Sequence, residues 1–262
     1  MYTIGTLERL RQWLGLADED TADDARLREA LAQAAAQIER AAGRRFCPRR
    51  AALPHTATGV IELLLDDDLL ELLALTNGDD QAIALENVQM RPAGSPASLL
   101  RLTDGAAFTW GETRLNAITV TGIWGWHDRW DEAWRDSGDS VQGGLAAGDG
   151  TLAVSDADGA DAAGEQPRFQ VGQLLKIADE YLRVLAVDSA ANTLAVERGA
   201  NGTQAASHPA DTPVYVYRPP ADVAALALRR AAWLVRSADH PGAPPDDLNA
   251  ALAGLRRTGV KV

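Results

Sequence analysis

The sequence predicts an α+β fold, in which a discontinuous helical scaffold with a small β-sheet is interrupted by an inserted all-β domain, a small barrel or sandwich. Apolar residues recur at helical spacing up to Gly43 and again after Pro219-Pro220. Between residues 143 and 217 short alternating segments replace that spacing. A glycine- and aspartate-rich stretch separates the two patterns, which indicates that one domain is inserted into another.

Composition and charge limit the classes of protein to which the chain can belong. The 262 residues are 46% hydrophobic and have a formal net charge of −12. This length supports a real core and about two domains, and the negative charge argues against a dedicated nucleic-acid binder. The single cysteine, Cys47, excludes an intramolecular disulfide. The sequence has no run of about 18 apolar residues and no secretion-signal pattern, so we expect a soluble protein of a reducing cytoplasm.

Two helices are predicted at the start of the chain. Thr6 is a suitable N-cap for the first, which ends near Gly15. Acidic Asp23 and Asp24 complement the N-terminal dipole of a longer second helix, and Gly43 supplies its C-terminal stop. Both helices are expected to pack through a narrow, alanine-rich stripe that includes Leu7, Leu10, Trp13, Leu14, Leu27, Leu31, Ala35, Ile38 and Ala42.

A β-rich section follows, and we expect it to form a small sheet against the helices. Ile118 and Val120 alternate with threonines, which favours a half-buried last strand, and Gly122 and Gly125 are expected to loosen the backbone around two tryptophans. The other predicted segments are a strand at Val60–Leu65, a turn at Asp66–Asp68, a strand or helix-to-strand element at Leu69–Thr76, a tight turn at Asn77–Asp79, and short strands at Asn87–Arg91 and Ser98–Leu102.

The inserted domain is predicted over residues 143–217, after a flexible linker at 137–150. It has ten carboxylates against four basic residues, which makes it the acidic part of the chain. Its five predicted strands are Thr151–Ser155, Leu174–Ile177, Glu180–Val187, Thr193–Glu197 and Val214–Tyr217.

After Pro219-Pro220 a helix is predicted out to about Ala238. A proline- and glycine-rich hinge at 240–245 precedes a last short helix and a basic tail. Residues 1–136 and 218–262 are therefore predicted to form one discontinuous domain.

No group of residues indicates a catalytic, cofactor or metal site. The loop from Asp156 to Glu165 faintly resembles a calcium loop, but its glycine and glutamate stand at the wrong positions, so an ordinary surface loop is expected. Nothing places a base beside Cys47. His208, Ser207 and Asp211 share one short loop, which is a poor way to build a catalytic triad. We therefore expect that the protein is not an enzyme. A hydrolase that uses scattered carboxylates is the weaker alternative.

Two groups of residues are candidates for an interface. Basic Arg44, Arg45, Arg49 and Arg50 lie close together in an acidic chain. A helix C-terminus with a solvated loop explains them, and contact with an acidic partner or with passing phosphates is the functional alternative. Trp130 and Trp134 lie outside any predicted strand or helix, where indoles serve as interface anchors.

Several segments resemble, in the same order, parts of the head–tail connector (adaptor) proteins of long-tailed bacteriophages. The resemblance covers roughly residues 1–130 and 219–262, and the β domain resembles an insertion found in some of these connectors. The segments are Thr6–Gly15, Ile38–Phe46, Leu65–Leu70, Leu75–Gly78, Arg91-Pro92, Val120–Gly125 and the helix after Pro220, with Phe169–Gly172, Ile177–Glu180, Thr193–Gly199 and Asn201–His208 in the insertion.

The resemblance implies a structural protein of the virion neck that is assembled in the host cytoplasm. Such adaptors form a ring, generally of about twelve copies, which docks under the portal protein and extends the DNA channel. Genomic DNA passes without sequence-specific binding, and a stopper or tail-terminator protein docks below. The segment from about Asp246 to Val262 is similar to the part that grips the portal, so Leu248, Leu252, Leu255, Arg256 and Arg257 are further interface candidates.

The alternative function is a soluble binding module. In that case the β insertion recognises a ligand such as a host-surface sugar or a decoration ligand. Deletion of the insertion separates the two functions, because an adaptor should still form rings whereas a binding module should lose its ligand.

Overall fold

The computed structural model describes residues 4–17, 21–94, 96–237 and 246–257. Over these ranges the chain forms four α-helices and eleven β-strands. The chain divides into two compact units, one of residues 44–130 and the other of residues 1–43 with 131–262. The predicted boundaries of the inserted domain stay a prediction.

The helices belong to the unit of residues 1–43 and 131–262, and they are α1 (Leu7–Leu14), α2 (Asp24–Ala42), α3 (Ala221–Ser237) and α4 (Asp246–Leu255). The predicted ends of α1 and α2 are confirmed, since Thr6 accepts a hydrogen bond from the Arg9 N–H, and Gly15 and Gly43 adopt the left-handed conformation. Helices α1, α2 and α3 share a core of Leu7, Leu10, Leu27, Leu31, Ala34, Leu228, Ala231 and Ala232. None of the described helices is long and apolar enough to cross a membrane.

Residues 44–130 form a five-stranded antiparallel sheet with its own core. The strands are β1 (Arg49–His55), β2 (Glu62–Thr76), β3 (Val88–Arg91), β4 (Ala97–Leu102) and β5 (Ile118–Trp124), in the order β1-β5-β2-β4-β3. Strand β2 is long because its first half pairs with β4 and its second half with β5. Trp124 lies fully buried in the core and donates its indole N–H to the carbonyl of Ala51.

The turn predicted at Asp66–Asp68 is wrong, because these residues lie inside β2. Ion pairs from Asp67 to Arg49 and from Asp68 to Arg44 satisfy two carboxylates that would otherwise favour a solvated turn. The pairing of β2 with β4 shifts in register between Leu64 and Leu69, and at the end of this shift the consecutive residues Asp68, Leu69 and Leu70 are all buried.

The second sheet has six antiparallel strands: β6 (Trp134–Ser140), β7 (Thr151–Ala153), β8 (Leu174–Ile177), β9 (Glu180–Asp188), β10 (Thr193–Glu197) and β11 (Pro213–Tyr217). Their order is β6-β11-β8-β9-β10-β7. The five strands predicted for the insertion are confirmed, and β6 adds a sixth. The two edge strands approach one another, since the N–H of Gln142, just after β6, donates to the carbonyl of Ala153 in β7 at 3.0 Å.

The predicted fold class, a helical scaffold with a small sheet, is wrong. The structure is mostly β, with two antiparallel sheets of five and six strands and only four helices in its described part. Strands β1 and β6 are absent from the predicted fold because their sequences lack apolar alternation. Strand β1 contains Pro54 at the edge of its sheet, and β6 buries Arg135, Ser137 and Asp139. Residues 137–140, which were predicted as linker, form the second half of β6.

Candidate functional site

The basic cluster lies in the unit of residues 44–130, and its arginines have two different environments. Arg49 forms an ion pair of 2.8 Å with Asp67. Arg44 lies 3.7 Å from Asp68, and its guanidinium stacks over the Trp126 ring. Arg45 and Arg50 are exposed. Half of the predicted cluster therefore holds β2 in place, and Arg45 and Arg50 are the members that a partner can reach.

The two candidate tryptophans are half-buried and occupy different surroundings. Trp130 donates its indole N–H to the Glu71 carboxylate at 2.7 Å. Trp134 lies on β6 and packs against Tyr181 and Tyr217, with the Lys176 ammonium over its ring. The expectation that both lie outside any strand or helix is therefore wrong, since Trp130 begins a short 3-10 helix (Trp130–Glu132) and Trp134 begins β6. Both indoles support their own unit through these contacts.

The C-terminal candidates lie on and after α4. Leu255 is buried, and the N–H of Arg257 donates to the carbonyl of Ala42 at 2.8 Å, so this segment is attached to the end of α2. Leu252 is half-buried and Arg256 is exposed. The side chain of Leu248 and the end of the tail from residue 258 lie outside the described residues.

A buried carboxylate, Glu180, organises one end of the six-stranded sheet. It accepts two hydrogen bonds from Arg198, further bonds from the N–H groups of Gly199 and Ala206, and a 2.8 Å contact from His208. Burial raises its pKa, but these bonds together outweigh burial and hold the pKa at about 2. The cluster fixes the loop after β10, and no local sequence motif indicates it because Glu180 and His208 are 28 residues apart.

Arg198 completes the same cluster from the other side. Its guanidinium also donates to the carbonyls of Ala146, Asp149 and Ala206 at 2.6–3.0 Å. All three of its nitrogens therefore have acceptors, and the cluster has a structural role rather than that of a reactive centre.

The loop that faintly resembles a calcium site is held by arginines instead. Asp161 pairs with Arg135, and Arg168 lies 3.0 Å from Asp139 and 3.5 Å from Asp156. Burial raises the pKa of Asp139, but backbone hydrogen bonds from Ser155 and others bring it below its ordinary value. No group of three or more potential ligands lies close enough to hold a metal within the described ranges.

A cavity of about 270 Å³ lies within the unit of residues 1–43 and 131–262. Its walls come from the start of α1, the start of α3 and strands β8 and β11. Trp13, which was expected to pack in the helical core, lines this cavity and is 50% exposed. Three distant segments meet here, so no sequence motif could have indicated the site.

The described side chains offer surfaces, cavities and buried ion pairs, but no converging set of nucleophile, base and oxyanion donors. Comparison with known proteins adds no family, because the sequence matches no model of a protein family and no curated protein.

Proposed function

We propose that this protein is a head–tail adaptor of a long-tailed phage or prophage. In this function copies of the chain form a ring below the portal protein, extend the DNA channel and present a platform to the next neck protein. The order of helices, sheet, insertion and returning helix supports the proposal, because it follows the order of the segments that resemble the adaptor family.

One observation about the surface carries the proposal. Among the described residues, eight large hydrophobic side chains are exposed, and six of them lie on residues 44–130: Val60, Leu64, Leu73, Leu85, Trp110 and Leu115. Single exposed hydrophobic residues are common, but six of the eight on one unit give that unit most of the large exposed apolar side chains that a protein contact would bury. A subunit of a closed ring needs such surfaces, since each copy contacts two neighbours.

Mass photometry and electron microscopy of the protein mixed with the portal protein of the same phage test the proposal. We expect ring-shaped particles of about twelve copies attached to the portal. A protein that remains monomeric and does not bind the portal at any tested concentration would contradict it. If the monomer instead binds a host-surface glycan and loses this binding when residues 143–217 are deleted, the binding-module function is correct.

A further inference from the structure

The cavity described above has an apolar wall and an open side. Ile4, Leu174, Val216 and Leu228 line it and are buried, whereas Ala225 of α3 lines it and is exposed. With the half-exposed Trp13 at the same site, these residues offer apolar area to a side chain from outside. The volume of about 270 Å³ suits one large side chain with its neighbours better than a drug-sized ligand.

The charged residues that line the cavity are three arginines, Arg9, Arg135 and Arg218, and one carboxylate, Glu165. Arg9 is held by Glu165 at 2.5–2.6 Å, and Arg135 pairs with Asp161. The side chain of Arg135 is 93% buried, and its Nε–H has no acceptor among the described residues. With three arginines against one carboxylate, the lining has an excess of positive charge, so it favours a ligand that brings a carboxylate.

A segment of complementary character lies on the other unit. Asp79, Asp80 and Glu86 are exposed and have no ion-pair partner within the described residues, and the range 79–86 contains no lysine or arginine. Leu85, in the same range, is one of the exposed hydrophobic side chains. We call residues 79–86 the acidic segment. It combines an apolar anchor with carboxylates, which complements the apolar wall and the excess of arginines in the lining of the cavity.

We propose that the cavity of one copy receives the acidic segment of a second copy, with Leu85 against the apolar wall and carboxylates against the arginines. This inference rests on the proposed function and deepens it, because it names the contact between neighbours. The two surfaces differ, so the contact is heterologous and leaves one surface of each kind open on every pair of copies. Such a contact can propagate and close into a ring.

Two variants, one for each surface, test the contact in the full chain. Ala225→Trp fills the cavity, and its matched control is Ala36→Trp, at an exposed alanine of α2 that does not line the cavity. Leu85→Lys removes the anchor, and its matched control is Leu185→Lys, at a residue that is 53% exposed and lies outside both the cavity and residues 44–130. Circular dichroism checks that each variant folds, and sedimentation velocity over a range of concentrations measures self-association.

We expect A225W and L85K each to weaken self-association at least about ten-fold, and both controls to associate as the wild type does. A mixture of A225W and L85K should stop at dimers, because each variant keeps one intact surface. A strictly monomeric wild type, or full assembly by A225W, would overturn the inference.

The ring assay with the portal protein separates this inference from the proposed function. If A225W still forms rings on the portal, the adaptor function stands and the contact is wrong. If the wild type associates through this contact but never engages the portal, the contact stands and the adaptor function fails.

Discussion

Glu180 is the residue on which the loop after β10 depends. Replacement by alanine would leave the buried Arg198 guanidinium without its carboxylate, so we expect Glu180→Ala to reduce the free energy of unfolding by about 3–5 kcal/mol. Thermal and urea unfolding, followed by circular dichroism, measure the loss. The matched control is Asp179→Ala, at the exposed neighbouring carboxylate, for which we expect a change within about 0.5 kcal/mol.

The same carboxylate gives the protein an acid-sensitive element. Since the pKa of Glu180 is about 2 in the folded chain and near 4.5 in the unfolded chain, its stabilising effect is complete above pH 4.5 and is lost as the pH falls toward 2. The loss amounts to about 3 kcal/mol and should be missing from Glu180→Ala. Equal acid sensitivity of the variant and the wild type would contradict this role.

The surroundings of His55 predict that the free energy of unfolding also depends on pH in a less acidic range. Burial lowers its pKa, although Asp66 and Asp67 oppose the effect, and neither ring nitrogen has a hydrogen-bond partner among the described residues. As the pH falls below about 6.5, the unfolded chain takes up this proton first, so the unfolding free energy of residues 44–130 should decrease until the pH reaches the folded pKa.

His55→Leu should remove this dependence and leave the stability at neutral pH unchanged or higher, because no hydrogen bond is lost. Denaturation curves at about pH 7.5 and 5.5, followed by tryptophan fluorescence, measure the difference. An opposite slope in the wild type, with higher stability at the lower pH, would show that the buried ring is charged in the folded state.

Strand β5 needs a glycine at position 122 for space and not for flexibility. A Cβ built at Gly122 would lie 2.4 Å from the carbonyl oxygen of Glu71 and 2.5 Å from a methyl group of Leu69. We therefore expect Gly122→Ala to separate β5 from β2 and to cost at least about 1–3 kcal/mol. Gly111→Ala is the control, since its nearest neighbour lies at 3.6 Å, and equal unfolding midpoints for both variants would contradict the close approach.

Individual elements show what sequence patterns could and could not predict. Helices α1 and α2 were found because caps at Thr6, Gly15 and Gly43 act locally. Strand β6 was missed because its buried positions hold Arg135, Ser137 and Asp139, whose partners come from residues that are distant in sequence. Alternation of apolar residues detects only strands whose buried face is apolar.

At the scale of the whole molecule, the two compact units should respond independently to local damage. Their cores are separate sets of residues, and substitutions that share no partners usually have additive effects. Hydrogen exchange followed by mass spectrometry should show faster exchange in β8–β10 for Glu180→Ala, and in β2 and β5 for Gly122→Ala. Faster exchange in both units for either variant would show that they unfold together.

The candidate surfaces also show which features the sequence alone can predict and which it cannot. The acidic segment could be read as charged and exposed from its composition alone. The cavity could not, because it is built from the starts of α1 and α3 and from β8 and β11, which only the tertiary fold brings together. Half of the predicted arginine cluster turned out to be structural, since Asp67 and Asp68 lie within β2 and not in a solvated turn.

The approach of β6 and β7 has a consequence for crowded assemblies. An open sheet edge can template the strand of another molecule and lead to aggregation. Here the Gln142 N–H is already bonded to Ala153, and the Asp139 carboxylate occupies the N–H groups of Ser155 and Asp156. Some N–H groups near this sheet edge are therefore already bonded within the chain, which leaves fewer of them to pair with a strand of another molecule.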